Sequence, residues 1–350
     1  MKMTICYFGI YNPGYSRNRI FIKGLRQNGI EVIECVSRLR GIAKYVDLIK
    51  KHHRMRKQYD IMIVGYPGQQ AAIVAKFLTR KPIVVDALVP LHESLVYSRG
   101  LLKRLSIRGV YYWLLEWFSL ILAHRIIVDT NAHREYFSRS FHLNPNKFRR
   151  IFIGSDDDVF CPKQVGTSEF IVHFHGALSP LQGVDYIVRA AKILEREKII
   201  FQIIGDGQSS DSIRQLVRDL DVRNVRLLGH IPYEQLMNYI SRASISLGLF
   251  GKASQAQRAI PNKVYEALAA RSPIITSRTP GAQELLTDKK DVLFCEAGSA
   301  EDLARAILEI RNNGKMREDI ARNGYDLFKS RLTPVFVGRD LVDVLQELMT

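Results

Sequence analysis

The chain has 350 residues, 47% of them apolar and 25% charged, with a mean hydropathy near zero. That length is more than one hydrophobic core serves, so two domains of roughly 150–200 residues are expected. The composition excludes collagenous, coiled-coil and disordered chains. No apolar run reaches the roughly 18–20 residues of a membrane span; the longest, residues 110–123, carries Glu116. The start, MKMTICYFGI, enters a strand-like run without a cleavage site, so no secretion signal is expected. Cys6, Cys35, Cys161 and Cys295 lie far apart and outside any CxxC or Cys/His spacing. Cys6 and Cys35, in apolar strand-like runs, are expected to be buried thiols, and a reducing cytoplasmic setting without structural zinc is expected.

The net charge of +16 is one-sided. Residues 1–165 hold 27 Lys+Arg against 12 Asp+Glu, a net of +15, whereas residues 166–350 hold 24 against 23. Such a field attracts polyanions: nucleic acid, an anionic membrane or phosphorylated substrates. Residues 38–57 hold eight Lys/Arg with only Asp47 in opposition, and Ile42, Tyr45, Val46, Ile49 and Met55 fall near helical spacing. The stretch is either a solvated helix face or a surface for anionic lipid. Residues 101–123 join Lys103, Arg104 and Arg108 to Tyr111, Tyr112, Trp113, Trp117 and Phe118. A buried domain helix accounts for that run most simply, with a helix at a lipid boundary as the alternative.

Short apolar runs alternate with helical patterns from end to end. In chain order, strands are predicted at 3–8, 31–36, 60–64, 82–86, 125–129 and 149–153, with helices at 19–28, 69–78 and 132–140. Residues 156–168 (DDDVFCPKQVGTS) break the rhythm and predict a linker. Strands then follow at 170–175, 199–204, 224–228, 244–249, 273–276 and 291–294. Helices are predicted at 181–195, 212–220, 233–241 and 262–270, and the tail from 300 is helical. The fold class is α/β: two facing Rossmann-like, doubly wound domains with an interdomain cleft. They are predicted at 1–160 and 161–333, with a last helix at about 334–350 packing back on the first. Ligands in such sheets bind beyond the carboxyl ends of the strands, so chemistry is sought just after them.

In IPNKVYEALAA (260–270), Pro261 and Asn262 suit a helix start, the latter through its capping amide. Lys263 adds charge where free N–H groups favour a phosphate, with Val264 beside it. Glu266, one turn on, can accept from both hydroxyls of a ribose. FHGALSPLQG puts Gly176 after one strand, and IGDG (Gly205, Asp206, Gly207) repeats the arrangement after the next. In YNPGYSRNR, Gly14, Ser16 and Arg17 enter the first helix and form a wall toward the nucleotide. In DALVPLHES, Asp86, His92 and Glu93 follow a strand; His92 can assist an acceptor hydroxyl or meet the transferred sugar. His133 is expected to face solvent, and one of His173 and His175 to be a core histidine.

These motifs, with GLRQNGIEV, HGALSPLQGVDYIVRAAKIL and AEDLARAI, occur in an order that resembles the family 4 glycosyltransferases of GT-B fold over essentially the full length. The resemblance implies sugar transfer from a nucleoside-diphosphate sugar with retention of configuration, no metal and no other cofactor. It implies a donor site in the carboxy-terminal domain and an acceptor site in the amino-terminal one. Glu266 resembles the second glutamate of the family's E-x7-E motif. Three positions depart: Arg258 stands where the first glutamate would fall, and Ala177 and Gln182 replace the family's basic pair. Arg258 and Lys263 are expected to supply the lost charge to the diphosphate. Otherwise the chain is a weak or inactive sugar-nucleotide binder; a sugar-nucleotide epimerase is a further rival. The acceptor is expected to be a lipid-linked or cell-surface saccharide, reached at the inner face of the membrane through the basic first half. No nucleic-acid motif accompanies the charge.

Overall fold

The computed structural model describes residues 3–163 and 165–349; residue 164 of the expected linker and residue 350 of the expected last helix lie outside them. The chain divides into two units, Met1–Gly154 with Leu332–Thr350, and Ser155–Arg331.

Unit 1 is built on strands β1 (Thr4–Gly9), β2 (Glu31–Val36), β3 (Ile61–Val64), β4 (Ile83–Asp86), β5 (Arg125–Val128) and β6 (Phe148–Arg150). They form one parallel sheet in the order β2-β1-β3-β4-β5-β6. Helices α1 (Ser16–Gln27), α2 (Ala43–Met55), α3 (Gln69–Leu78), α4 (Leu91–Glu93), α5 (Ile107–Ile121) and α6 (Asn131–Phe141) connect them. Strands β3 and β4 are buried along their whole length, because a parallel sheet with crossover helices is covered on both faces. Leu48 of α2, Ala71, Ala72 and Ala75 of α3, Leu120 of α5 and Phe137 of α6 share one core with alternate residues of the strands.

Unit 2 repeats the plan with β7 (Phe170–His175), β8 (Ile199–Ile204), β9 (Val225–Leu227), β10 (Ile245–Leu247), β11 (Ile274–Ser277) and β12 (Leu293–Cys295). All pair in parallel, in the order β12-β11-β10-β7-β8-β9. Its helices are α7 (Val184–Ile193), α8 (Ser210–Asp219), α9 (Leu236–Ile240), α10 (Ser254–Arg258), α11 (Asn262–Ala269), α12 (Pro280–Gln283), α13 (Ala300–Asn312) and α14 (Gly314–Arg331). The last helix, α15 (Pro334–Gln346), returns to unit 1 and packs along α1. Gly24 and Gly338 make that crossing possible, since a Cβ on either would collide with the backbone of the other helix. Glu347, just past α15, is bound by the guanidinium groups of Arg149 and Arg125.

One helix of unit 1 differs from expectation. Helix α5 is not a buried domain helix: it buries Gly109, Leu115, Glu116, Ser119 and Leu120. It exposes Ile107 (92%), Val110, Tyr111, Leu114, Phe118 and Ile121, which recur at helical spacing as one apolar stripe. On α2, Leu48 and His52 turn inward while Ile42, Val46 and Ile49 stay exposed. His133 is likewise no solvent-facing histidine. It is 1% exposed and bonded at 2.5 Å to Asp129 through Nδ1, and Nε2 has no partner among the described residues. Its place follows from the α6 start, where Thr130 caps the helix by accepting from the His133 N–H and turns the first residues toward the sheet.

Arg17 is a further correction. It is fully buried and cannot form an open wall toward a nucleotide. Its Nε and Nη2 donate to Asp86 at 3.1–3.2 Å, Nη1 donates to the Ile151 carbonyl at 2.8 Å, and the guanidinium lies over the Phe21 ring. Asp86 is thereby consumed as well; burial raises its carboxyl against the pull of Arg17. Removing one partner of such a pair strands a buried charge and costs about 3–5 kcal/mol. Arg17→Ala is expected to lose stability on that scale in urea unfolding. The double change Arg17→Met with Asp86→Leu should recover most of it; equal losses in both variants would show that the pair is not the origin.

Candidate functional site

In unit 2 the strand order reverses beside β7: β8 and β9 lie on one side, β10 to β12 on the other. A crevice opens at such a reversal beyond the carboxyl ends of the strands. Gly176 follows β7 there with φ 139°, and Gly205 follows β8 with φ 141°, a region that favours glycine. Their first role is backbone packing, since a Cβ on Gly205 would collide with the Gly176 carbonyl and one on Gly207 would come within 2.6 Å of the Leu178 carbonyl. Asp206 is exposed, and its Oδ1 accepts from the Gly207 N–H at 2.8 Å and from the Ser210 hydroxyl at the start of α8. The IGDG turn is therefore tied to the first residue of α8 by the Asp206 carboxylate, and its glycines let it press against the turn after β7.

Helix α11 brings its chemistry to the same place. Its N-cap is Pro261, not Asn262, and among the described residues no side chain caps it. Asn262 is half-buried in the first turn. Val264 is 1% exposed, its methyl groups face Gly248, and its N–H donates to the Pro261 carbonyl at 2.9 Å, so it offers a ligand neither side chain nor amide. Lys263 and Glu266 turn inward, 5% and 4% exposed. The Lys263 ammonium sits 3.9 Å from the centre of the Phe174 ring and donates to Gln182. A Cβ on Gly176 would lie 3.1 Å from its Nζ. A cation thus stands against both the glycine turn and the glutamine that replaces a basic residue. Burial pulls its pKa down to about 7, with Glu266 pulling the other way. Arg258 ends α10, half-buried, with its carbonyl against Gly281 of α12.

Glu266 is held by groups the sequence analysis did not combine. Its Oε2 is 2.7 Å from His175 Nε2, and His175 Nδ1 is 2.9 Å from His173 Nε2. His173 Nδ1 is in turn 2.9 Å from Gln202 Nε2. Both histidines are core residues rather than one. The available signal was the pleat: residues 173 and 175 share a strand face, and Gln202 is the lone polar residue of β8.

Unit 1 holds the remaining expected residues. Gly14 is exposed, donates to Asn12 Oδ1 at 2.9 Å, and lines a cavity of about 720 Å³ at the ends of β1 and β2 with Arg38, Arg40 and Lys44. Ser16 is buried in the first turn of α1. His92 is 7% exposed on α4, and burial lowers its pKa. A residue noted only for interrupting an apolar run fixes this turn: Glu116 accepts from the Leu91 and His92 N–H groups at 2.6 and 3.0 Å, and burial raises its pKa to about 7.

Comparison with known proteins bears on the fold and the reaction class. Residues 159–327 match the family described as Glycosyl transferases group 1. An uncharacterized glycosyltransferase of Methanocaldococcus jannaschii, MJ1178, is 27% identical over 84% of this chain and 78% of its own. The lipopolysaccharide core biosynthesis glycosyltransferase LpsD of Rhizobium meliloti is 26% identical over 49% and 47%. The crystal structure of Anabaena Alr3699/HepE in complex with UDP and glucose superposes with a TM-score of 0.72 at 18% identity, covering 99% of this chain and 100% of that one. The fold is the two-domain, Rossmann-like GT-B fold. The similarities support glycosyltransferase activity of the group 1 type.

A ligand diphosphate beside Lys263 would favour its charged form and raise its pKa above about 7. Binding then takes up a proton above neutral pH, and nucleoside-diphosphate affinity falls as pH rises, by up to roughly tenfold per unit. Calorimetry at about pH 8 in buffers of different ionisation heat measures the uptake. Lys263→Arg should flatten the dependence; no uptake in the unaltered protein would show that the ammonium does not meet the ligand.

Proposed function

We propose that the protein is a retaining glycosyltransferase that needs no metal or other cofactor and draws its sugar from a nucleoside-diphosphate donor held by unit 2. The observation that carries this is the convergence of buried Lys263 and Glu266 with the Gly176 turn at the β7–β10 reversal. In this reading Glu266 accepts from the ribose hydroxyls. The α11 amides, Lys263, Asn262 and Arg258 meet the diphosphate, whose departing charge such donors stabilise. The Lys263–Gln182 contact supports the view that the ammonium replaces the missing basic pair, and so favours an active enzyme over an inert binder. HepE, bound to UDP and glucose, supports the donor class. A ligand at 100 times its Kd stabilises by about 2.7 kcal/mol. One of UDP, GDP, ADP or CMP is expected to raise the melting temperature, and Glu266→Ala to abolish the rise. No shift with any of them would defeat the donor assignment.

The acceptor side rests on unit 1, where His92 is the candidate to assist the acceptor hydroxyl or meet the transferred sugar. The cavity lined by Arg38, Arg40 and Lys44 suits an acceptor that carries phosphate, as a lipid-linked saccharide does. Work at the cytoplasmic face of the membrane is supported by the apolar stripe of α5 beside exposed Lys103, Arg104 and Arg108, and by the basic, partly apolar α2. Both helices cover the same sheet face. No helix among the described residues is long and apolar enough to cross a membrane. Each basic residue near an anionic surface contributes about 1 kcal/mol. The protein should therefore sediment with phosphatidylglycerol vesicles and not with phosphatidylcholine at low salt. Leu114→Ser with Phe118→Ser should weaken that binding severalfold; equal partition to the two lipids would refute the membrane step.

A further inference from the structure

Glu266 is not held by one neighbour but stands at the end of a file of four buried side chains. Gln202 of β8, His173 and His175 of β7 and Glu266 of α11 are joined by three bonds of 2.7–2.9 Å. Backbone geometry puts them in line: residues 173 and 175 lie on one face of β7, and Gln202 is the register partner of His173. The opposite face of β7, with Val172 and Phe174, belongs to the apolar core.

The order of protons along the file follows from its ends. A carboxylate only accepts, so His175 Nε2 donates to it and His175 Nδ1 is bare. That bare nitrogen accepts from His173 Nε2–H, leaving His173 Nδ1 bare to accept from the Gln202 amide. Every donor points one way, both rings are neutral, and each bond polarises the next. Burial above all, with Lys263 nearby, drives His173 well below the usual histidine pKa, in keeping with a neutral ring. The far end is an amide, which neither ionises nor takes up a proton at neutral pH, so the file is not a proton conduit. Its effect is on Glu266, whose Oε2 is fixed toward His175 while Oε1 accepts from none of the described residues.

We propose that Gln202, His173 and His175 are positioning residues that hold Glu266 in one rotamer, so that Oε1 meets the 2′- and 3′-hydroxyls of the donor ribose and the site selects ribonucleotides. The inference rests on the reading of Glu266 as the ribose ligand. A hydrogen bond to a charged group contributes about 1.5–3 kcal/mol, which corresponds to roughly 10–100-fold in affinity.

Two measurements test it. Affinities are compared for UDP, GDP and ADP against their 2′-deoxy forms, in the unaltered protein and in His175→Phe, His175→Gln, His173→Phe and Glu266→Ala, each checked for an intact fold by circular dichroism. A ribose preference of at least roughly tenfold is expected. It should collapse in Glu266→Ala and His175→Phe, weaken in His173→Phe, and return in part in His175→Gln, which restores an N–H donor. Loss in Glu266→Ala with retention in His175→Phe would overturn the relay and leave Glu266 as the ribose ligand. Retention in Glu266→Ala, or binding of none of these nucleotides, would overturn that reading, and the relay's purpose with it. Nitrogen-15 spectra of the unaltered protein, which need no variant to fold, should show both rings neutral with Nε2 protonated and Nδ1 bare between roughly pH 6 and 8. A protonated Nδ1 on either ring in that range would refute the proton order.

Discussion

The reversal of strand order beside β7 is the constraint on which the site in unit 2 depends. Parallel strands are joined by helices that cross one face or the other, and where the order reverses the two neighbouring connections leave on opposite faces. Helix α7 packs with α13 in the apolar core on one side of β7, and α11 lies outside that core, against β10, β11 and α14. The carboxyl end of β7 is therefore left between them. Gly205 lets the turn after β8 close on the Gly176 backbone, Gly176 leaves room for the Lys263 ammonium and Gly248 for Thr276 and Val264, and α11 brings its uncapped start and two buried charges to the same end.

Buried charge is costly, and four buried acids have their partners worked into the fold. Asp86 takes the guanidinium of Arg17, Asp129 takes His133, Glu116 takes two backbone N–H groups, and Glu266 takes the histidine file. Arrangements of this kind specify geometry more than they add stability, because desolvation cancels much of the attraction. They also make the surroundings unequal: Lys263 and Glu116 both titrate near neutrality, where their ordinary counterparts do not. Helix α5 follows the same logic from outside. It turns its acid inward to hold the His92 turn and leaves apolar side chains outward.

The backbone was legible in the sequence to a high degree. Strands at 31–36, 170–175 and 199–204 and the helix at 69–78 fall where hydrophobic periodicity places them, and other boundaries differ mostly by one to three residues. Periodicity is a local property, and a parallel sheet covered on both faces writes itself as short apolar runs between helical patterns. Gly176, directly after β7, and Lys263, in the first turn of α11, sit at element boundaries, where turn and helix-start signals are local, and the folded chain brings them together.

Which way a side chain faces was decided by the tertiary structure alone. Arg17, at the head of α1, became a buried partner of Asp86, 69 positions away, because β1 and β4 flank β3 and bring the two together. The apolar residues of α5 carry helical period whether they meet a core or water, so sequence could not orient them. His173, His175 and Gln202 are three unremarkable polar residues until β7 and β8 pair in register. Sequence determined the elements, their order and the glycine turns, since these depend on neighbours within a few positions. Tertiary structure decided the partners, since a buried charge is satisfied only by whatever the folded chain brings within about 3 Å.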